Sequence, residues 1–572
     1  MHVRNWLPIL QWLPKYNRAD LKGDLPAGLT VGVMLIPQGM AYALIAGLPV
    51  VYGLYAALVP LVVYTLMGSS KQLAIGPVAM DSLLVAAGLT GLAVAGSERY
   101  IELALLLALM TGVLQLILGT LRMGFLANFL SKPVISGFTS AAALIIGLNQ
   151  LPNLLGINMS RSAHLHVLLQ GAWTSVPELH WPTLLMSVAS IVLLLALRKW
   201  APKMPGALAV VALGIVAVTC GGLDLNTVGS VPSGLPEFQL PGLSWQDVNM
   251  LLPIAGTLGL IAFIESFSIA KAVTDPTSHT HLDANQELRA LGTANTLGAM
   301  FGAFPIAAGF SRTAVNVRAG SRTPLSGLVA AGVVALALTF LMPAFRPLPN
   351  AVLGAIIAVA VSGLFNFGYF RKLWLTHRAE AVLLAVTFLL TAFAGMVVGM
   401  ASGMILSLTL TLYRTSLPHT AELGQVSGVY RNLDRFPNAK TTPNVVVLRF
   451  DGPLNYASQS HFKDFVLTRL ASRQDQDETV HRMILSAESI PHLDATASAM
   501  LEDLLDQLES KNVALHIAGA IGPVRDAMAR AGLMERIGPA HFHTGLASAM
   551  GHIEPNAHRK NVATQTSNAN NP

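Results

Sequence analysis

Gly309-Phe310-Ser311-Arg312-Thr313-Ala314-Val315-Asn316 lies deep in the apolar part of the chain and carries an arginine. A Gly/Pro-interrupted run, 297–309, precedes it, and Arg318-Ala319-Gly320-Ser321-Arg322-Thr323-Pro324 follows. An arginine at membrane depth is costly unless it faces a cavity or a partner, so by default it marks a functional position. Ser311 is the expected N-cap of a short helix whose first turns run from Thr313 to Arg318. A helix that begins inside a membrane points free N–H groups and the positive end of its dipole at whatever sits there, and it favours anions. Helix start plus Arg312 reads as an anion site. The bland alternative is a cytoplasmic loop with a snorkelling arginine. The rest of the chain decides between them.

The chain has 572 residues, of which 53% are hydrophobic and 12% charged. A soluble protein would carry about 25% charged residues. Charge is scarce from Asp24 to about Thr415 and ordinary after Ser416. The composition implies a polytopic membrane protein with a soluble C-terminal domain. A net charge of +6 then reflects basic loops rather than a nucleic-acid surface. The single cysteine, Cys220, excludes an internal disulfide framework and reads as inert packing. Met1–Asp24 mixes Trp, Lys and Arg and is expected to be an interfacial cytoplasmic segment without a secretory signal.

Apolar stretches of membrane length, or slightly short, recur at 26–46, 52–68, 77–95, 101–121, 133–152, 183–198, 205–222, 251–271, 288–304, 310–320, 324–343, 349–368, 380–396 and 397–415. With a cytoplasmic N-terminus, the inner loops hold Lys71, Arg122, Lys132, Arg198, Lys199, Lys203, Lys271, Arg289, Arg318, Arg322, Arg371, Lys372 and Arg378. The outer loops hold Arg99, Arg161 and Arg346, and the stretch 223–250 has no Lys or Arg. This asymmetry predicts an even number of spans with both termini in the cytoplasm.

Two short, Gly/Pro-broken segments stand third in each half: Ala74-Ile75-Gly76-Pro77-Val78-Ala79-Met80-Asp81-Ser82 and the stretch around Arg312. Paired discontinuous segments in matching positions point to an inverted-repeat transporter, with two half-helix N-termini facing each other near the midplane. That favours the anion-site reading of Arg312. In the first span Pro37 frees a mid-helix carbonyl, and Gln38 and Tyr42, four apart, share one face. They would line a polar pocket, or Gln38 would bond to backbone in a kinked packing helix. Glu265 is the one carboxylate well inside the second apolar half. Three roles fit it: taking up and releasing a proton, holding a sodium ion with carbonyls and hydroxyls, or serving as a fixed countercharge to Arg312. Asp81 is a weaker candidate, expected near the outer end of a short helix.

From Thr442 the pattern changes to short strands and helices: strands at 444–450, 483–486 and 513–518, and helices at 497–511 and 521–532. This is a small α/β domain, 442–555, after a linker, 416–441. The Asn/Thr/Gln-rich tail, 556–572, is expected to be disordered.

Several stretches resemble the SulP family of anion transporters, bacterial relatives of the mammalian prestin-type anion exchangers. They are Asp24-Leu25-Pro26-Ala27-Gly28-Leu29-Thr30-Val31-Gly32, Pro37-Gln38-Gly39-Met40-Ala41-Tyr42-Ala43 with Gly47-Leu48-Pro49 and Tyr52-Gly53-Leu54-Tyr55, Val228-Gly229-Ser230-Val231-Pro232-Ser233-Gly234-Leu235-Pro236, and Ser311-Arg312-Thr313-Ala314-Val315-Asn316. The match runs from about residue 14 to 555. The resemblance implies fourteen spans in a 7+7 inverted repeat. A core domain, about 25–121 and 251–343, would move against a gate domain, about 133–222 and 349–415, in an elevator-like motion. It implies an anion held by Gln38, Tyr42, Phe310, Ser311 and Arg312 with backbone around Val78 and Ala79, and Glu265 as the proton- or sodium-coupling residue. It also implies a homodimer in the inner membrane. The C-terminal part is similar to a STAS domain, which offers a cytoplasmic partner a surface. Its phosphorylation pattern survives only in part, as Asp494-Ala495-Thr496-Ala497. Thr496 is thus a candidate phosphosite, and a helix N-cap by Asp494 or Thr496 is the competing role.

The expected function is a secondary active transporter of a small inorganic or carboxylate anion, sulfate by proton symport in the first place. Bicarbonate or C4-dicarboxylate carriage with proton or sodium, an uncoupled channel, and a STAS-centred membrane regulator are the alternatives. No Walker loop or HExxH spacing is present, and no enzyme, catalytic residue, metal site or cofactor beyond a coupling ion is expected. His279 and His281 sit in a polar loop and read as solvated.

Overall fold

The computed structural model describes residues 6–128, 131–160, 162, 164–201, 206–229, 232–274, 282–363, 365–474 and 479–553. His279, His281 and the tail 556–572 lie outside the described residues. The chain divides into two compact units between Ser407 and Leu408.

Each of the fourteen apolar stretches carries a helix. They are α1 Arg18–Ala46, α2 Val50–Met67 (broken at 56–58), α3 Ala79–Leu89, α4 Glu98–Thr120, α5 Lys132–Asn149, α6 Trp181–Trp200 and α7 Gly206–Gly221. The second set is α8 Trp245–Val273, α9 Ala284–Ala299, α10 Phe310–Arg318, α11 Leu325–Leu336, α12 Asn350–Ser362, α13 Arg378–Ala394 and α14 Met396–Ser416. Among the described residues, eight helices are long and apolar enough to cross a membrane by length and composition. Those eight do not include α3 and α10. At 1.5 Å per residue these measure about 17 and 14 Å, each about half of a ~30 Å hydrocarbon core.

Helix packing repeats under exchange of each helix with the one seven later. α1 packs on α11 as α8 packs on α4, and α5 on α13 as α12 on α6. α2 meets its own counterpart α9, and α1 touches α10 as α8 touches α3. Such closure under exchange is what two inverted repeats produce. The α4–α9 contact is a close one: a Cβ on Gly292 would lie 2.8 Å from Gly112 O and 2.7 Å from Leu116 N. Small residues let helix backbones approach where lipid supplies no hydrophobic drive.

The start of α1 is set by a capping box. Asn17 accepts from Ala19 N and Asp20 N, while Asp20 accepts from Asn17 N. The helix therefore begins inside the segment Met1–Asp24 that reads as a separate N-terminal piece, and Asp24 is fully buried within it. Its carboxylate accepts from Arg322 N, Thr323 N and Thr323 Oγ1, tying α1 to the start of α11.

The C-terminal unit is a six-stranded sheet in the order β4-β3-β5-β6-β7-β8, formed by β3 His419–Val426, β4 Val429–Asn432, β5 Val445–Asp451, β6 Arg482–Ser486, β7 Ala514–Ala518 and β8 Phe542–His543. β5 to β8 run parallel, and β3 is antiparallel to both its neighbours. Helices α15 Gln459–Gln474, α16 Ala495–Ser510 and α17 Gly522–Arg530 connect them. Residues 416–441, read as a linker, instead contribute β3 and β4. Glu422 on β3 is buried and paired with Arg473 at 2.5 Å. The alternating charge and Gly of 419–432 conceal a strand whose inner face is satisfied by that ion pair.

Candidate functional site

The two broken segments meet. Ile75–Gly76 (β1) pairs antiparallel with Ala307–Ala308 (β2), in register Ile75 with Ala308 and Gly76 with Ala307. Each two-residue strand feeds a half-helix, α3 or α10. Pro77 ends β1 because it has no N–H to continue the ladder. The ribbon is pinned from neighbouring helices: Ser266 Oγ on α8 accepts from Ala308 N at 2.9 Å, and Asn295 on α9 brackets Ile306 through both its amide atoms. Thr313 Oγ1 accepts from Ala74 N at 3.1 Å, and Asn316 donates to Gln72 O at 2.9 Å, so α10 is stitched to the approach of β1.

Neither half-helix is capped by a side chain. The N-cap of α3 is Val78 and that of α10 is Gly309. The sequence reading of Ser311 as N-cap is corrected: α10 starts at Phe310, two residues earlier, because β2 ends at Ala308 and leaves Gly309 as the only joint. A Cβ on Gly309 would lie 2.9 Å from the Arg312 guanidinium, so the glycine is also what lets that side chain fold back.

Arg312 is 1% exposed. Its Nη1 donates to Pro77 O at 2.5 Å, bridging one broken segment to the other. Its Nε and Nη2 are buried and find no protein acceptor. Tyr42 and Glu265 both interact electrostatically with it. Gln38 (7% exposed) and Tyr42 (8%) are buried on α1, which packs on both half-helices, and Gln38 Oε1 has no donor. Val78 packs with Ala262 and Ala307, and Ala79 opens α3 beside it. Phe310 (63% exposed) and Ser311 stand at the open start of α10 rather than in the packed interior.

Glu265 on α8 is partly buried, and its Oε2 has no donor. Asp81 differs from its sequence reading. It lies in the first turn of α3, at the helix start and not toward the outer end, and is fully buried with both oxygens unpartnered. It interacts electrostatically with Glu265. A buried carboxylate without a donor is stable only neutral or beside a cation. Glu287 on α9 shows the contrast: it accepts from Tyr64 Oη, Ser69 N, Ser69 Oγ and Ser70 N and is a structural anchor. Unpaired donors on Arg312 and two uncapped helix starts suit an oxyanion. Unpaired carboxylate oxygens on Asp81 and Glu265 suit a proton or a small cation.

In the C-terminal unit, Asp494 is the N-cap of α16, accepting from Ala497 N at 2.8 Å and from Tyr456 N at 2.9 Å. Thr496 is exposed in the first turn.

Comparison with known proteins shows the family and the fold. The model of the sulfate permease family matches residues 21–387, and that of the STAS domain matches 436–549. Probable sulfate transporter 4.2 of Arabidopsis thaliana is 37% identical over 553 residues, covering 94% of this chain and 81% of that protein. A probable sulfate transporter of Mycobacterium tuberculosis (strain CDC 1551 / Oshkosh) is 35% identical over 556 residues, covering 96% and 98%. Among solved structures, the murine solute carrier 26 family member A9 anion transporter in the inward-facing state superposes with a TM-score of 0.88 at 25% identity, covering 97% of this chain and 95% of that one. The transmembrane domain of a cyanobacterial bicarbonate transporter shares the fold, with a TM-score of 0.59 at 24% identity over 68% of this chain and 98% of that one.

Proposed function

Because the chain belongs to the sulfate permease family and carries a STAS domain, we propose that it is a secondary active anion transporter that moves sulfate by proton symport. The observation that carries the reading is Arg312, anchored to Pro77 O with Nε and Nη2 left free between two uncapped helix starts. Such donors cost free energy buried and unpaired, and a bound oxyanion repays it. Gln38 and Tyr42 add polar groups from α1, Val78 and Ala79 offer backbone, and Phe310 and Ser311 close the open side.

Glu265 and Asp81 take the coupling proton. When both are neutral their burial is tolerated, and when one ionises Arg312 is the nearby positive charge. A proton arriving with a dianion leaves one net negative charge to move with the site. The core, α1–α4 and α8–α11, carries the site as a rigid body against the gate, α5–α7 and α12–α14, in an elevator-like motion. The protein is a homodimer in a bacterial inner membrane with both termini cytoplasmic, as the Lys/Arg asymmetry of its loops favours. The STAS domain offers a surface to a cytoplasmic partner, with Thr496 exposed for phosphorylation.

A second reading is favoured by the same carboxylates. Asp81 and Glu265 with Ser266 form an oxygen-rich neighbourhood that also suits sodium, which would go with bicarbonate or a C4-dicarboxylate as cargo. Uptake of labelled sulfate, bicarbonate and succinate into proteoliposomes, under an inward proton and then an inward sodium gradient, tests both. Sulfate uptake driven only by protons is expected. Sodium-driven bicarbonate uptake selects the second reading, and gradient-independent flux of every anion identifies a channel. Arg312→Gln is expected to weaken sulfate binding ten- to a hundredfold with normal expression, as loss of a charge-assisted hydrogen bond (about 1.5–3 kcal/mol) implies. Unaltered binding would remove Arg312 from the site.

A further inference from the structure

Away from the site, a cavity of about 1020 Å³ opens on the core at the ends of its helices. Its walls come from the N-terminal segment, the turn at 68–71 after α2, the end of α4, and the starts of α9 and α11. Among the described lining residues none belongs to a gate helix, which sets the cavity apart from the core–gate boundary. The basic residues Lys71, Arg122, Arg289 and Arg322, separate in sequence, converge on it, joined by Lys15.

Among the described residues two acids line the same walls, and both are engaged. Asp283 caps α9 by accepting from Asn285 N and Gln286 N, and Asp20 closes the capping box of α1, 4.0 Å from Arg322. Among the described residues no carboxylate pairs with Lys15, Lys71 or Arg122. Arg122 also holds its backbone at φ +60°, directly after α4, where glycine is the usual residue. That conformation is strained for a side chain, and such outliers persist where the side chain has a task. Arg289 is 7% exposed, its Nε and Nη1 fixed by Gly119 O and Gln286 Oε1, and its guanidinium lies 4.9 Å over the Trp6 ring. Trp12 Nε1, on the same wall, is buried without an acceptor.

We propose that this cavity is a second, non-transporting anion site that binds a phosphate ester, supplied either by an anionic phospholipid headgroup or by a soluble polyphosphate. Five cations against two engaged acids call for more than one negative charge, and the volume exceeds what a single sulfate or bicarbonate fills. Basic pockets beside membrane helices take phospholipid headgroups, and indoles favour the interfacial level where those sit. The inference does not depend on the substrate reading, since no residue is shared between the two sites.

The test uses the full chain in detergent, titrated with dioctanoyl phosphatidylglycerol, dioctanoyl phosphatidylcholine and sodium pyrophosphate. Tryptophan fluorescence and melting temperature are the readouts. Phosphatidylglycerol or pyrophosphate is expected to saturate with a salt-sensitive affinity, and phosphatidylcholine to fail. Saturation by the lipid alone assigns the headgroup, and saturation by pyrophosphate assigns the soluble ligand. The double substitution Lys71→Gln/Arg122→Gln is expected to weaken binding at least tenfold, while Arg312→Gln leaves it unchanged. Arg122→Gly, which relieves the strained backbone, should raise the ligand-free melting temperature yet still weaken binding. Failure of both anionic probes, equal binding of the two lipids, or an unchanged affinity in the double variant would overturn the proposal.

Discussion

Two carboxylates buried in the membrane unit, Asp24 and Asp81, differ in what reaches them. Asp24 receives three hydrogen bonds from Arg322 and Thr323, about 300 residues away, whereas Asp81 receives none. Asp24→Ala leaves three donors unpaired, each costing about 1–3 kcal/mol, and should lower the melting temperature of the whole chain sharply. Asp81→Asn breaks no hydrogen bond. It should fold normally and lose the response of uptake to a proton gradient, and a preserved response would return Asp81 to a packing role. The sequence reads Asp24 as the end of an interfacial N-terminal segment and Asp81 as part of an apolar stretch. It held no signal for Asp81 as a buried orphan, because partners arrive only through tertiary contact. In the C-terminal unit, His516 Nδ1 on β7 lies 3.1 Å from His543 Nε2, and its ring is tilted against that of His541 with centroids 4.3 Å apart. Burial first, then His541, His543 and Arg482, push its pKa down to about 4 from 6.5. A depressed base binds fewer protons folded than unfolded, so its stability contribution is whole above pH 6.5 and is lost as pH falls toward 4. Amide exchange protection in β7 should decline over that window, and His516→Gln should flatten the decline.

At the scale of elements, existence was legible and starts were not. All fourteen apolar stretches carry helices, since hydrophobic length alone dictates them. The start of α10 departs from the sequence expectation, because Ser311 has the chemistry of a cap but the two-residue ribbon at Ala307–Ala308 fixes Gly309 as the joint. β3 and β4 are hidden in the sequence for a related reason: Glu422 reads as a loop residue until Arg473, 51 residues later, pairs with it. Helix pairing, too, rests on residues whose meaning is invisible in one dimension. Gly292 is an ordinary helix-weakening glycine until Gly112 O is seen 2.8 Å from where its Cβ would stand. Gly292→Val forces α4 and α9 apart against backbone atoms, and overpacking of this kind costs about 1–3 kcal/mol. A lower melting temperature with lost uptake is expected, and Gly256→Ala, with nothing within 4 Å, is the silent control.

Over the whole membrane unit, the largest helix contacts have counterparts seven helices on, and at the site the repeats meet in four residues of antiparallel ribbon. Each repeat donates one strand of it and one uncapped helix start, and Arg312 of the second repeat is anchored on Pro77 of the first. The consequence concerns genes as much as geometry. If the reading frame were split between α7 and α8, each product would be an intact repeat of helices and yet hold no anion, since half a ribbon has no partner and Arg312 no carbonyl. Co-expressed, the two products should restore anion uptake by complementation, and either alone should bind nothing. Activity from a single half would mean that the ribbon is scaffolding and that the cargo rests elsewhere.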